Sequence, residues 1–499
     1  MPSFHIENFG CRATQADAAA IERQLVGCGY TPLRDATGAD VVVVNTCTVT
    51  ASADSQARQA IRAIHRQNPA TRIVVTGCYA QRAPEELAQL EGVAWVVGNS
   101  HKPEIPRLIE QMNRPQRQAP PAFVPLEAIA ADPMSLARAP AKILTGNIFE
   151  QAAVLVAPVL GGECGHTRPT LKIQDGCNHR CAYCVIPFVR GRSRSLPPAQ
   201  VLEEIRRLSA AGYREVVLSG INLGSYGRDL APRVKFADLI RGILDETPLE
   251  RLRLSSIEPM DVTQDFIALV ASTGRIARHF HIPLQSGSDR ILAAMHRWYR
   301  VAHYARRLEW IREMLPQAGL GADVIAGFPG ETEADHRATL ALVEQLPFTY
   351  LHVFAFSKRP GTKAAGMPNE VPAEVIQQRS RELRAAAAAK AVAFHAAQLG
   401  RWLHVLTLDR SGEGPSGSWT RALASNYLDV RVAGSWPANQ MLDVRITSVD
   451  GSHLLGHPLT AKLLHKNGGC HFGPTVSAFV QHDHGSETSV GGGTFSLRR

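Results

Sequence analysis

No stretch of the sequence approaches the roughly 18 apolar residues that a membrane helix needs. The Ala-rich "RAAAAAKAVAFHAAQLG" is interrupted by charge. The first ten residues, "MPSFHIENFG", have neither a basic segment nor an apolar core, so they do not read as a signal peptide. The expected location is the cytoplasm. A phosphate loop is also missing: "GFPGETE" has the glycines but not the G-x-x-x-x-G-K-[ST] pattern. So are the paired C-x2-C knuckles of structural zinc sites. Cysteine is sparse, 9 in 499 residues. In a reducing compartment those thiols are more readily metal ligands, catalytic groups or buried side chains than disulfides.

What is present points to an α/β multidomain chain. The length suggests about three domains, and 45% hydrophobic residues suffice for large cores. The formal charge of +9 fits a polyanionic partner, and equally a soluble protein that happens to be basic. Residues 1–112 repeat one pattern, an apolar run, a cysteine, then a helical period: "FHIENFGC", "VVVVNTC" and "RIVVTGC". That is an N-terminal parallel sheet with crossover helices. Residues 113–165, rich in Pro and Ala, read as a linker. From 166 to 398 six strand–helix units follow, with strands "LKIQDG", "EVVLSGIN", "LRLSS", "FHIPL", "GADVIAGF" and "YLHVFAF", then a long closing helix. They predict a central partial (β/α)6 barrel. Residues 399–462, with "LHVLTLDR", "YLDVRVAG", "MLDVRITSVDG" and "HLLGHPL", predict a small C-terminal β-barrel. The polar, Gly-rich 463–499 reads as a disordered tail.

Cysteine placement carries the chemistry. "CNHRCAYC" sets Cys177, Cys181 and Cys184 in one loop directly after the first barrel strand. Zinc with a distant fourth ligand is one reading. Three thiolates on three irons of a [4Fe–4S] cluster, the fourth iron left open, suit the spacing better. Cys11, Cys47 and Cys78 each follow a strand of the N-terminal sheet, where ligand sites of open α/β sheets lie. They are expected to converge on a second cluster, although a lone cysteine is more often a buried thiol. Cys28, Cys164 and Cys470 are read as non-ligands.

The loop "CNHRCAYC" resembles the signature of the radical S-adenosylmethionine superfamily. With "NTCTVTASAD", "VVTGCYAQR", "SGINLGSYG", "LSSIEP", "HIPLQSGSD" and "DVIAGFPGETE", the chain resembles the methylthiotransferases, which convert a C–H bond to C–S–CH3. The resemblance covers about 1–112 and 166–462. "NTCTVT" with "ADS", and "QDGC", look most like the branch acting on threonylcarbamoyladenosine at tRNA position 37. One departure is Thr14, where the family usually has Asn. The resemblance implies two [4Fe–4S] clusters, S-adenosylmethionine, a tRNA anticodon loop as partner, an external electron donor and sulfur source, and a TRAM-like RNA-binding role for 399–462.

It also implies site residues. Tyr183 would pack on the cofactor's adenine, or simply in the core. Gly220 and Asn222 would approach the cofactor's methionine part, or form a plain turn. Glu258 and Gln285, at later strand ends, would bind the ribose or order the pocket, or only cap loops. Asp323 is a further cofactor contact by its place on a strand. His281 reads as a satisfied core histidine. Arg190, Arg192 and Arg194, beside the cluster loop, would take RNA phosphates, the cofactor carboxylate or the substrate's polar substituent, or form a solvated basic loop. In the small barrel Arg410 and Arg421, with Trp419 and Tyr427, mix charge and aromatic faces as single-stranded RNA binding favours. The alternatives are a sibling enzyme acting on isopentenyl-type adenosine or a ribosomal-protein aspartate, and a non-catalytic iron–sulfur RNA-binding protein or sensor.

Overall fold

The structure, a computed structural model, describes residues 2–113, 141–151, 154, 157, 167–414, 417–450 and 453–459. Most of the expected linker and every residue beyond 459, with Cys164 and Cys470, lie outside the described residues.

The N-terminal sheet holds β1 (Ser3–Asn8), β2 (Thr31–Pro32), β3 (Val41–Thr46), β4 (Arg72–Gly77), β5 (Val93–Gly98) and β6 (Lys142–Leu144), all parallel, in the order β2-β1-β3-β4-β5-β6. Every residue of β3, "VVVVNT", is buried, as a central strand covered on both faces requires. Helices α1 (Arg12–Gly27) and α5 (Ile105–Asn113) cover one face, where Ile21, Leu25, Ile105 and Leu108 meet Val41, Val43 and Val74. Helices α2 (Ala51–Gln67), α3 (Cys78–Arg82) and α4 (Pro84–Ala88) cover the other, where Ile61, Ile64 and Leu87 meet Val42, Val44 and Val75. β6 is a departure from expectation: residues 142–144, expected in the linker, add an edge strand to this sheet.

The central region alternates as the hydrophobic periods predict. β7 (Thr170–Asp175), β9 (Glu215–Gly220) and β10 (Arg251–Leu254) run parallel, with the short β8 (Arg194–Ser195) antiparallel at the edge. β11 (His279–His281), β12 (Gly319–Ala326) and β13 (Tyr350–Ala355) form a second parallel run. A single parallel bridge between Leu252 and Ile276 joins the two. The six parallel strands therefore follow one another in chain order, as a partial barrel needs. Period-two alternation decides what each face does. Leu171, Ile173, Val216, Leu218, Leu252, Leu254, Phe280, Leu320, Ala322 and Val324 share one apolar core with the surrounding helices. The intervening residues face the lumen and are mostly polar: Lys172 and Gln174, Glu215 and Ser219, Arg251 and Arg253, His279 and His281, Asp323, Tyr350 and His352. A packed eight-unit barrel fills its interior with branched apolar side chains; here polar side chains pair across it, Glu215 with Arg251 and Arg253, and His279 with Tyr350.

The last described element is a closed five-stranded barrel, β14 (Trp402–Gly414), β15 (Gly417–Ala424), β16 (Asp429–Ala433), β17 (Met441–Asp450) and β18 (His453–Pro458), in the order β14-β15-β16-β18-β17. β15 was hidden in the sequence by the Gly and Ser that precede it. This barrel stands against the N-terminal ends of the central strands. Arg251 donates to the carbonyls of His404 and Leu423 (both 3.2 Å), and Arg253 to those of Ala424 (3.0 Å) and Ser425 (3.1 Å). Glu215 holds both guanidiniums from below, and all three side chains are fully buried.

Candidate functional site: two cysteine trios on one seam

β7 ends at Asp175, and the chain turns through Gly176 at φ 72°, where a Cβ would sit 2.0 Å from the Arg192 carbonyl. Only glycine fits there. The loop that follows is pinned by backbone bonds from Cys177 N to Gly191 O (3.1 Å), Cys184 N to Cys181 O (3.0 Å) and Ala182 N to Met295 O (2.9 Å). It presents Cys177, Cys181 and Cys184 as free thiols. The His179 N–H points at the Cys177 sulfur (3.4 Å), and Arg297 Nη1 at that of Cys181 (3.3 Å). Burial first, then the neighbouring Cys181, pushes the Cys184 thiol up to about 12; burial also raises Cys177. A metal bound here would displace those protons, because the thiolate is the ligand. The buried Oδ1 of Asn222 has no hydrogen-bond partner, so an acceptor stands ready beside Cys177. The donor set fits an iron–sulfur cluster with a polar ligand next to it.

The second trio is assembled by topology. Cys11 caps α1 after β1, Cys47 follows β3, and Cys78 opens α3 after β4, so all three stand at the carboxyl ends of adjacent strands. Burial first, then Cys78 and Cys11, pushes Cys47 up to about 12. Two glycines make the approach possible. A Cβ on Gly10 (φ 106°) would lie 2.3 Å from that of Cys47, and one on Gly77 (φ 103°) 2.2 Å from the Thr46 carbonyl. Thr14, at the position of the family's Asn, donates to the Cys11 carbonyl (2.7 Å), so its hydroxyl still braces this turn. Cys28 stands apart at the C-terminus of α1.

The trios meet across one wall. Cys78 packs against Val185 and Val189 of the segment that follows Cys184 and forms helix α6 (Ile186–Arg190). Asn99 donates to the Cys78 sulfur (3.5 Å) and to the Val189 carbonyl (2.7 Å). Beneath them lies a buried charge cluster that sequence reading missed. Asp17 of α1 meets Lys102 (2.8 Å), Arg190 (2.9 Å) and Lys172, while Asp175 meets Arg190 (3.0 Å) and Lys172 (3.0 Å). Burial pushes both carboxyls up, but the cations outweigh it and hold them below the usual range. The available signal was an aspartate in the apolar stripe of α1, between Ala13, Ala16, Ala20 and Ile21.

Several expected roles change. Arg190 is only 2% exposed and committed to Asp17 and Asp175, so it does not reach RNA phosphates. Arg194 is buried too and donates to the Gln151 carbonyl. Arg192 alone of the three is exposed. Tyr427 turns inward at φ 73° and stacks on His279 (4.3 Å between centroids) at the floor of the lumen, away from an RNA-facing surface. Arg421 is paired with Asp429, Arg410 is exposed, and Trp419 lies under Arg431 at 4.8 Å. The space above Gly220 is taken by the Gln174 side chain, whose Oε1 accepts from Asn222 N at 2.8 Å. Glu258 pairs with Arg297, the guanidinium that also touches Cys181. Gln285, at φ 68°, is stitched to β12 through Asp323 O and Ile325 N. Tyr183 packs beside Phe328, Met295 and Ile325 at the top of the lumen. Asp323 contacts two imidazoles, and His281 is no satisfied core histidine: its Nε2 lies buried without a hydrogen-bond partner.

Residues 3–98 match the Uncharacterized protein family UPF0004, and residues 171–343 the Radical SAM superfamily. The chain is 34% identical over 441 residues to a threonylcarbamoyladenosine tRNA methylthiotransferase MtaB of Aquifex aeolicus, covering 88% of this chain and 99% of the relative. The Bacillus subtilis protein of that name is 37% identical, covering 76% and 79%. A tRNA-2-methylthio-N(6)-dimethylallyladenosine synthase of Syntrophobacter fumaroxidans is 35% identical, covering 83% and 85%. Among solved structures, the radical S-adenosylmethionine methyltransferase TsrM of Kitasatospora setae shares the fold at TM-score 0.53 and 17% identity, covering 73% of this chain and 75% of that one. No helix among the described residues is long and apolar enough to cross a membrane. With two [4Fe–4S] clusters and S-adenosylmethionine as cofactors, the chain belongs to the radical S-adenosylmethionine tRNA methylthiotransferases.

Proposed function

We propose that the protein methylthiolates carbon 2 of N6-threonylcarbamoyladenosine at position 37 of tRNA, in the cytoplasm. The observation that carries this reading is the shared wall: Cys78 of one trio packs on the segment that follows Cys184 of the other. Radical generation and sulfur delivery must reach the same carbon, and here they are a few side chains apart.

Cys177, Cys181 and Cys184 would hold one cluster, and Cys11, Cys47 and Cys78 the other. When bound, the first supplies the electron that splits S-adenosylmethionine to a 5′-deoxyadenosyl radical, the second supplies sulfur, and another S-adenosylmethionine supplies the methyl group. The protein's own residues position and shield. Asn222, oriented by Gln174, offers Oδ1 to the cofactor's amino group. Tyr183 stands to pack on adenine. Arg297, fixed by Glu258 and the Tyr299 ring, donates to the Cys181 sulfur and holds it in place. Exposed Arg192 and Arg410 would take tRNA phosphates, with the 399–462 barrel as a TRAM-like RNA-binding domain. An external reductant and an external sulfur source complete the partners.

The branch assignment rests on the sequence motifs and on the relatives named for this substrate. Relatives named for dimethylallyladenosine are equally similar, which keeps the isopentenyl-type substrate as the second reading. Purified enzyme should be given two tRNAs that differ only in the N6 group of A37. The methylthio product on the threonylcarbamoylated tRNA is expected; product only on the isopentenylated one overturns the substrate and leaves the reaction class standing.

A further inference from the structure

A threonylcarbamoyl group carries a carboxylate and a hydroxyl, and burial removes Arg190 and Arg194 from the list of groups able to meet them. Polar groups left unsatisfied or open to solvent lie elsewhere, along the lumen face of β11, β12 and β13. Asp323 Oδ1 lies 3.1 Å from His352 Nδ1 and 3.2 Å from His281 Nε2. The His352 contact is a hydrogen bond, whereas the His281 nitrogen is too far off line to count as one. Ser256 Oγ meets the other nitrogen of His281 at 2.7 Å, which fixes that ring. His281 is buried, yet His352 is 55% exposed and Phe354 next to it on the same face is 46% exposed. The wall therefore opens to solvent at β13.

Gly321 makes room for this group. A Cβ there would lie 2.0 Å from the Tyr350 ring, which instead leans across the strand toward His281 (5.9 Å) and His352 (5.3 Å). Below Tyr350 the stack continues through Tyr427 at 5.8 Å. Arg12 reaches the same stack from the turn that carries Cys11, its guanidinium 3.5 Å from the Tyr427 hydroxyl. Among the described residues no carboxylate pairs with Arg12, a half-exposed cation beside a polar lumen. Asp323 spends its Oδ1 on the two imidazoles, and Arg12 is the cation left to meet an anion.

We infer that Arg12 and the His281–Asp323–His352 group form the pocket for the N6 substituent of the target adenosine, Arg12 taking its carboxylate and His352 its hydroxyl or carbamoyl. Asp323 is the positioning residue: by accepting from Nδ1 it turns Nε2 of His352 outward, where it can accept from a hydroxyl. The isopentenyl group offers such a pocket nothing, and the polar groups would be left unpaired. The inference rests on the proposed threonylcarbamoyl substrate and places its recognition in the lumen.

The test uses reconstituted full-length enzyme and three tRNAs, with threonylcarbamoyladenosine, isopentenyladenosine or plain adenosine at position 37. The readout is the ratio of Kd values between plain and threonylcarbamoylated tRNA, with iron content and circular dichroism as folding controls. Wild type should prefer the threonylcarbamoylated tRNA by about ten- to a hundredfold, the worth of one or two charge-assisted hydrogen bonds. Arg12→Gln and His352→Leu should each bring the ratio toward one, and KM should rise more than kcat falls. His352→Gln, which keeps a donor and an acceptor, should recover part of the preference. If wild type discriminates and both variants still do, the pocket is wrong while the proposed function stands. If wild type modifies only isopentenylated tRNA, the proposed function has failed first. Stoichiometric zinc held by His281, Asp323 and His352 in protein lacking all six cluster cysteines would overturn the inference in favour of a metal site.

Discussion

Cys177, Cys181 and Cys184 come from one loop of eight residues, whereas Cys11, Cys47 and Cys78 come from the ends of three neighbouring strands. The loop trio is fixed by local turns and a handful of backbone bonds. The strand trio depends on sheet register, on two glycines without room for a Cβ, and on helices that hold the sheet's order. One site is written locally and the other exists only once the fold has closed. They should therefore fail differently when perturbed.

The largest expected difference is chemical. Alanine at Cys177, Cys181 and Cys184 together should lower iron from about eight to about four per chain and abolish 5′-deoxyadenosine formation. Alanine at Cys11, Cys47 and Cys78 should remove as much iron, keep cofactor cleavage measurable and stop methylthio transfer. Unchanged iron in both variants would break the ligand assignment. Next come the glycines. Gly10→Ala or Gly77→Ala should mimic loss of the strand trio alone, because the new Cβ collides with Cys47 or with the Thr46 backbone. Iron analysis and 5′-deoxyadenosine assay distinguish this from general unfolding.

A third perturbation acts on what the two sites share. Asp17→Asn should destabilise the protein by about 3–5 kcal/mol, since it leaves Lys102, Lys172 and Arg190 buried without their common partner. The folded Asp17 and Asp175 hold their protons less tightly than the unfolded chain does. Their contribution is complete above the unfolded value of about 4 and is lost as pH falls toward the lower folded values. Urea midpoints for wild type and Asp17→Asn should be far apart at pH 7 and converge below about pH 4; a constant gap would show that the Asp17 carboxylate does not carry this term. The smallest effects belong to the surface. Arg192→Gln and Arg410→Gln should each weaken tRNA binding modestly and lower the salt dependence by about one phosphate contact. An unchanged salt slope would remove that arginine from the RNA interface.

The same contrast explains what the sequence revealed. All six central strands and the loop trio were legible, because period-two runs and an offset of 0, 4 and 7 are local signals. The strand trio was legible through its repeated position after a strand. The charge cluster around Asp17 was not, because Lys102, Lys172 and Arg190 look like surface cations until the domains close on them. Arg297 escaped notice in "MHRWYR" for that reason, and His281 looked like core because its lumen face is set by the barrel and not by its neighbours. β15 was lost to the glycines before it, and β6 to the Pro-rich composition around it.

Tyr427 and the Glu215–Arg251–Arg253 group bear on how the C-terminal barrel can be studied. Those arginines spend their donors on carbonyls of that barrel, and Tyr427 corks the lumen from the same side. Cutting the chain before residue 399 would therefore expose a buried carboxylate with two guanidiniums and open the lumen to water from below. A truncated enzyme that fails to hold tRNA would then have lost its floor along with its grip. The domain behaves less as a detachable accessory than as a bulkhead, and the RNA contacts proposed for it are better tested one exposed arginine at a time.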